Sequence, residues 1–125
     1  MIKGIHHVAL KCCGKEEFDK TVSFYKDLLG LSVKRTWPGA VMLDTGAGLL
    51  EIFDNADSPL PQGALRHIAL ATDNTDECIK IISDAGYTVT MQPSDVTIPS
   101  SPAYPVRIAF CLGPIGEEIE FFQEK

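Results

Sequence analysis

The chain has 125 residues, of which 45% are hydrophobic and 22% are charged, and its formal net charge is −6. This length and composition are typical of one compact globular domain, residues 1–125. The acidic balance argues against a nucleic-acid partner, no apolar run is long enough to cross a membrane, and the first four residues lack the apolar core of a signal peptide, so we expect a cytoplasmic protein.

The first half of the chain predicts a strand, a helix and then three more strands. Alternating apolar and polar residues predict a strand over 4–11, with His7, Ala9 and Lys11 on one face and His6 on the other. Apolar residues at helical spacing predict a helix over 15–29, which carries glutamates in its first turn and ends at Gly30. Short apolar runs between turn residues predict strands over 31–36, 40–45 and 49–53.

A polar connector follows at 54–64, and the same order of elements then returns. We predict a strand over 66–71, a helix over 75–85 and strands over 87–91, 106–112 and 117–123, with a hairpin turn at 113–116. Residues 92–105 contain four prolines and predict an irregular loop. Such a loop is either a lid over a functional site or a solvated connection.

The two halves of the chain repeat each other. Residues 5–10 resemble residues 65–70, and residues 50–53 resemble residues 119–122. The sequence therefore predicts an α+β fold built from two βαβββ modules, 1–56 and 64–125, that form a curved mixed sheet of about eight strands around a cleft. Each module has an apolar sheet face that it cannot bury alone, so we expect the modules to pack together, within one chain or between two.

Each module contributes one histidine and one glutamate at matching positions: His7 and Glu51, then His67 and Glu120. Each glutamate lies within an apolar strand, where a carboxylate loses hydration unless it is paired or binds a metal. Two imidazoles and two carboxylates with open positions for water suit one catalytic divalent cation: Ni²⁺, Zn²⁺, Co²⁺, Mn²⁺ or Fe²⁺.

Each member of this set also has a simpler interpretation. A single histidine on a strand is more often a hydrogen-bonded core residue than a metal ligand, and Glu51 could face water. Glu118 lies on the same strand face as Glu120 and competes with it; we prefer Glu120 because the repeat aligns it with Glu51. We assign no role to His6.

The four cysteines follow no metal-binding or redox spacing. We expect all four to be reduced thiols, three or four of them with packing roles: Cys12, Cys13, Cys78 and Cys111. A catalytic cysteine is the alternative, but no activating partner marks one.

Four segments resemble the glyoxalase/bleomycin-resistance/dioxygenase superfamily, also called the vicinal oxygen chelate proteins. They are residues 5–10, 23–31, 66–70 and 116–121, and the resemblance extends over nearly the whole chain. It implies paired βαβββ modules, a metal in the cleft and commonly a homodimer acting on a small-molecule substrate.

Within this superfamily the ligand pattern resembles that of glyoxalase I, the lactoylglutathione lyase. Its His, Glu, His, Glu set maps onto His7, Glu51, His67 and Glu120, and an asparagine that touches the thiol substrate maps onto Asn55. The resemblance also places a substrate-binding residue at Lys11, where glyoxalase I usually has arginine, and residues 113–116 depart from its usual turn.

Other members of the superfamily differ at the position of Glu51. The related epimerases carry glutamine there, while the dioxygenases and thiol transferases use three ligands. Glu51 therefore favours an isomerase, with a non-catalytic small-molecule-binding protein or another metal-dependent enzyme as the alternatives.

The resemblance to glyoxalase I implies proton transfer next to a carbonyl, with Glu120, or otherwise Glu51, as the catalytic carboxylate. The hemithioacetal of a 2-oxoaldehyde and a thiol would become a 2-hydroxyacyl thioester. Several aromatic and basic side chains either contact the substrate or have ordinary core and surface roles: Trp37, Phe53, Phe122, Lys11, Arg35, Arg66 and Arg107.

Overall fold

The computed structural model describes residues 1–59 and 63–125. The middle of the predicted connector, residues 60–62, therefore lies outside the described residues. The chain divides into two compact units, Met1–Pro61 and Gln62–Lys125.

The first unit contains a four-stranded mixed sheet in the order β1-β4-β3-β2, in which β1 runs parallel to β4 and the other pairs are antiparallel. Its elements are β1 (His7–Lys11), α1 (Lys15–Ser23), a π-helical turn (Phe24–Leu28), β2 (Ser32–Trp37), β3 (Ala40–Asp44) and β4 (Leu49–Phe53).

The predicted first helix is present, but its last part is wider than an α-helix. The N–H of Leu29 donates to the carbonyl of Phe24, five residues back, at 3.0 Å. Phe24 and Tyr25 are adjacent and both almost fully buried, with their rings edge to face. A wider turn changes the direction of successive side chains, which lets two neighbouring rings enter the same core.

The second unit repeats this arrangement, with the strand order β5-β8-β7-β6 and β5 parallel to β8. Its elements are β5 (Ile68–Ala71), α2 (Thr75–Asp84), β6 (Val89–Ile98), β7 (Tyr104–Leu112) and β8 (Glu118–Glu124). The predicted α+β class and the two βαβββ modules are confirmed.

The prediction of an irregular loop over 92–105 was wrong. Strand β6 continues to Ile98 and β7 already begins at Tyr104, so the intervening loop covers residues 99–103. Pro93 fits because β6 is an edge strand and its register shifts between Met91 and Ser94. Most of the segment therefore belongs to the sheet, and the interpretation of 92–105 as a lid or solvated connection is withdrawn.

The central strands of each sheet supply much of the buried apolar core. In the first unit, Leu43, Leu50 and Ile52 are almost fully buried, and in the second unit Ile119 and Phe121 are. Neither of the helices in the described part of the chain is long and apolar enough to cross a membrane.

An ion-pair network connects α2 to the sheet of the second unit. The guanidinium of Arg107 on β7 donates to both carboxylate oxygens of Asp76 at 2.6 and 2.8 Å, and to Asp95 of β6 at 3.1 Å. The Lys125 ammonium lies 2.7 Å from Asp95. Arg107 lowers the pKa of Asp76 below its ordinary value, and Lys125 together with Arg107 does the same for Asp95.

This network predicts a pH-dependent loss of stability on replacement of Arg107. Both aspartates have lowered pKa values in the fold, so their contribution is present above their ordinary pKa of 3.8 and is lost as the pH falls below it. We expect Arg107→Gln to lower the Tm by a few degrees at pH 7, with a smaller difference at pH 3. Lys3→Gln, which makes the same charge change at an exposed site, is the control, and a Tm difference that does not vary with pH would contradict this account.

Candidate functional site

The first histidine–glutamate pair lies on two adjacent parallel strands. Glu51 is at the centre of β4 beside Ala9 of β1, and His7 precedes Ala9 by two residues, on the same face. The Nε2 atom of His7 is 3.6 Å from Oε1 of Glu51. The carboxylate is buried, with 8% of Glu51 exposed, while the imidazole keeps 38% of its surface exposed.

The second unit reproduces this pair with the same offset. Glu120 of β8 lies beside Ala69 of β5, and His67 precedes Ala69 by two residues. Nε2 of His67 is 3.1 Å from Oε2 of Glu120, and Glu120 is again 8% exposed. The ring of His67 also meets the face of Phe110 edge-on, with centroids 5.5 Å apart.

His6 contacts the first pair, which the sequence did not indicate. Its Nδ1 lies 2.9 Å from Nδ1 of His7, so the expectation that the two rings point to opposite faces was wrong. Strand β1 begins only at His7, and strict alternation therefore does not extend back to His6. The contact leaves Nε2 of His7 directed at Glu51, as a neighbour that orients a ligand ring would do. The sequence feature that could have indicated this contact is that the two histidines are adjacent.

Burial raises the pKa of Glu120 above its ordinary value, and the nearby His67 imidazole partly offsets the effect. A carboxylate removed from water disfavours its charged form, and a nearby cation restores it. A positive charge placed next to Glu120 would therefore favour the charged form of its carboxylate.

The geometry of both pairs is compatible with ligation of a metal ion. Two ligand atoms, each 2.0–2.2 Å from one ion and at an angle of 90–110°, lie about 3–3.5 Å apart. The nitrogen–oxygen distances of 3.6 and 3.1 Å are close to that range. Among residues 1–59 and 63–125, no group of three or more His, Cys, Asp or Glu side chains is close enough to hold an ion, so each pair by itself offers two donors.

The competing glutamate, Glu118, lies at the start of β8 and is half-buried. Its register partner is Leu112, whereas the carboxylate adjoining the histidine is that of Glu120. The choice of Glu120 over Glu118 as the partner of His67 is therefore supported by the geometry.

The two proposed substrate contacts, Lys11 and Asn55, are both exposed. Lys11 lies on the face of β1 that carries His7. Asn55, just beyond β4, forms an isolated antiparallel β-bridge with the backbone of Cys13. Within the described ranges neither side chain has an ion-pair partner. Their roles stay predictions.

The aromatic and basic candidates separate into two groups. Arg107 is engaged by Asp76 and Asp95, and Arg66 donates to the carbonyl of Gly63 at 3.4 Å. Phe53 and Trp37, by contrast, pack edge to face on the sheet that carries Glu51, with ring centroids 6.2 Å apart. Phe122 contacts Tyr104 in the second unit.

The model of the Glyoxalase/Bleomycin resistance protein/Dioxygenase superfamily matches residues 4–121. The chain belongs to this superfamily. A comparison with curated proteins gave no match for this chain.

Solved structures of other proteins share the fold of this superfamily member. A glyoxalase/bleomycin resistance protein/dioxygenase from Alicyclobacillus acidocaldarius is 18% identical, with a TM-score of 0.69, and the match covers 98% of this chain and 92% of that one. A virulence protein from Salmonella typhimurium is 20% identical, with a TM-score of 0.73 and coverage of 100% and 99%. A lactoylglutathione lyase from Agrobacterium tumefaciens is 19% identical, with a TM-score of 0.68 and coverage of 98% and 94%.

The environment of Glu120 predicts that its charge destabilises the metal-free protein. Because its pKa is raised in the fold, the stability contributed by its proton is present at low pH and is lost as the pH rises through that pKa. Glu120→Gln should therefore raise the Tm of chelator-treated protein by a few degrees at pH 8, and the gain should disappear near pH 4. Asp57→Asn, at an exposed position, controls for the charge change, and a variant less stable than the wild type at both pH values would refute this prediction.

Proposed function

We propose that this protein is a metal-dependent isomerase of the glyoxalase I type, which converts a 2-oxoaldehyde–thiol hemithioacetal into a 2-hydroxyacyl thioester. The observation that carries the proposal is the repetition of one arrangement in both modules: a buried glutamate beside a half-exposed histidine. The histidine is the first residue of the neighbouring parallel strand in the first module and directly precedes that strand in the second. One divalent cation, Ni²⁺, Zn²⁺, Co²⁺ or Mn²⁺, would be held by His7, Glu51, His67 and Glu120.

The donor chemistry favours a cation over two independent ion pairs. A buried carboxylate that has lost its hydration needs a partner, and a divalent cation compensates its charge more fully than one contact with a half-exposed imidazole. A mixed set of imidazoles and carboxylates suits Ni²⁺, Co²⁺, Zn²⁺ and Mn²⁺, and it does not form the closed thiolate site of structural zinc.

In the proposed reaction a proton moves between two adjacent carbons of the substrate. A bound cation would polarise the substrate oxygens and stabilise the charge that develops on them. Glu120 would remove the proton from the first carbon and return it to the second, while the hydroxyl proton passes from the oxygen on the first carbon to the oxygen on the second. The substrate is thereby isomerised without any net gain or loss of atoms. Glu51 is the alternative base.

The superfamily supports this choice only at a coarse level, because its name covers glyoxalases, resistance proteins and dioxygenases. The Agrobacterium tumefaciens lactoylglutathione lyase is one protein of this fold with such an activity. For the present chain, we propose a small-molecule substrate whose thiol portion contacts Lys11 and Asn55.

We further propose that the protein acts as a homodimer in the cytoplasm. All four cysteines are free thiols, as a reducing compartment requires.

The proton-transfer role of Glu120 predicts a specific kinetic result. Glu120→Gln keeps a carbonyl oxygen that can ligate a cation but removes the base, so kcat should fall by about 10²–10⁴-fold while bound metal is largely retained. Methylglyoxal with several thiols provides the substrates, metal content is measured on the same samples, and Asp57→Asn is the charge-matched control. Unchanged activity in Glu120→Gln would remove the role, and an inactive wild type that binds planar ligands would favour the non-catalytic alternative.

Mixing two inactive variants tests whether two chains share a site. We combine His7→Ala/Glu51→Gln with His67→Ala/Glu120→Gln after dissociation and reassociation. If the ligands come from two chains, a mixed dimer contains one intact set, and about half of the mixed dimers' sites should regain metal and activity. If each chain supplies all four ligands, the mixture stays inactive.

A further inference from the structure

The backbone of His6 is held against the start of β4, although β1 begins only one residue later. The N–H of Leu49 donates to the carbonyl of His6 at 3.0 Å. Gly48, with a φ of 109°, lets the two segments approach closely, because a Cβ atom there would lie 3.3 Å from the carbonyl oxygen of Ile5 and 3.6 Å from that of His6. The sheet therefore fixes the position of His6.

The side chain of His6 contacts the ring nitrogen of His7 that does not face Glu51. The two Nδ1 atoms are 2.9 Å apart, and the rings are nearly perpendicular, at 85°, with their centroids 5.2 Å apart. Nε2 of His7 is 3.6 Å from Oε1 of Glu51. That distance is too long for a hydrogen bond, so the contact with His6 is the one that orients the imidazole of His7.

The hydrogen bond between the two rings has a direction that ligation of a cation would decide. A neutral imidazole carries one N–H, and its other nitrogen offers a lone pair. If Nε2 of His7 ligates a cation, the proton of that ring must be on Nδ1, and Nδ1–H then donates to Nδ1 of His6. Metal-ligating histidines usually donate their second N–H to an acceptor, which fixes both the tautomer and the orientation of the ring.

The second unit orients its histidine by a different contact. Arg66 takes the place of His6 in the repeat, and its guanidinium donates to the carbonyl of Gly63 at 3.4 Å. The ring of His67 meets Phe110 edge to face, and no hydrogen bond to Nδ1 of His67 occurs in the part of the chain that the structure describes. An acceptor at Nδ1 is therefore a feature of the first module alone.

We propose that His6 is a positioning residue for the metal site: its Nδ1 accepts a hydrogen bond from Nδ1–H of His7, which directs the lone pair of Nε2 at the cation. This role rests on the metal site of the proposed function and does not depend on the reaction that follows. Both rings are exposed, so their contact adds little to the stability of the fold. Its effect is on metal affinity, which falls about 10–100-fold when such an orienting partner is removed.

The first test compares Co²⁺ dissociation constants of the full chain and its variants, measured from the absorption of the bound ion in competition with a chelator. His6→Leu removes the acceptor and should weaken Co²⁺ binding by about tenfold or more. His6→Asn places an amide oxygen where Nδ1 lies and should keep most of the affinity. Arg66→Leu, the same replacement at the matching position of the second module, should not weaken binding. The Tm of each metal-free variant reports any effect on folding.

The second test observes the hydrogen bond itself, by nuclear magnetic resonance on Zn²⁺-loaded protein with nitrogen-15-labelled histidine. In the wild type, Nδ1 of His7 should carry the proton and should show a scalar coupling across the hydrogen bond to Nδ1 of His6. In His6→Leu, the same proton should exchange faster with water.

The outcomes separate this role from the proposed function. Equal Co²⁺ affinity in His6→Leu and the wild type, or a proton on Nδ1 of His6 in the loaded protein, would overturn the role of His6 and leave the metal site standing. A loss of affinity that accompanies a lower metal-free Tm, and that His6→Asn does not restore, would show a merely structural role and also overturn it. A wild type that binds neither Co²⁺ nor Zn²⁺ would overturn both.

Discussion

The proposed function depends on two carboxylates that are buried in the middle of strands. Glu51 and Glu120 occupy positions where an aliphatic residue would be more stable, and each has one histidine within 3.6 Å. Loss of hydration disfavours the charged form of such a group, as the raised pKa of Glu120 indicates. The sheet thus maintains an arrangement that a divalent cation would stabilise, at the expense of the stability of the metal-free protein.

The parallel strand pair in each module is what brings histidine and glutamate together. The first strand and the last strand of a module lie side by side in the same direction. The glutamate is in register with an alanine, and the histidine stands two residues before that alanine. Alanine at the register position leaves room for the larger side chains on either side of it. The same βαβββ order in the second module reproduces the arrangement with new neighbours, such as Phe110 beside His67.

The repeat in the sequence was sufficient to predict the fold and to single out one histidine and one glutamate in each module. Strand β4 has the predicted bounds, because a short apolar run between glycines and polar residues has few alternatives. Arg35 illustrates what the sequence could not reveal. A β-bulge at Lys34 in β2 decides on which face of the sheet Arg35 lies. Strict alternation from Val33 would place Arg35 on the opposite face.

The errors also have physical causes. Four prolines suggested a loop over 92–105, but an edge strand with a shifted register accommodates Pro93, and cross-strand pairing overrides local propensity. The contact of His6 with His7 was missed because the first residues of a strand need not alternate. The wider turn at Phe24 accompanies two adjacent buried rings, and no periodicity in the sequence indicated it.

Metal stoichiometry most directly tests the proposal that the two histidine–glutamate pairs bind one shared ion. Elemental analysis after reconstitution with Ni²⁺, Co²⁺, Zn²⁺ and Mn²⁺ in turn would compare the wild type with His7→Ala/Glu51→Gln and with His67→Ala/Glu120→Gln. The account predicts about one ion per wild-type chain and loss of nearly all of it in either variant, since two donors alone hold a cation weakly. Two ions per wild-type chain with one retained in each variant, or no retained metal under any condition, would contradict it.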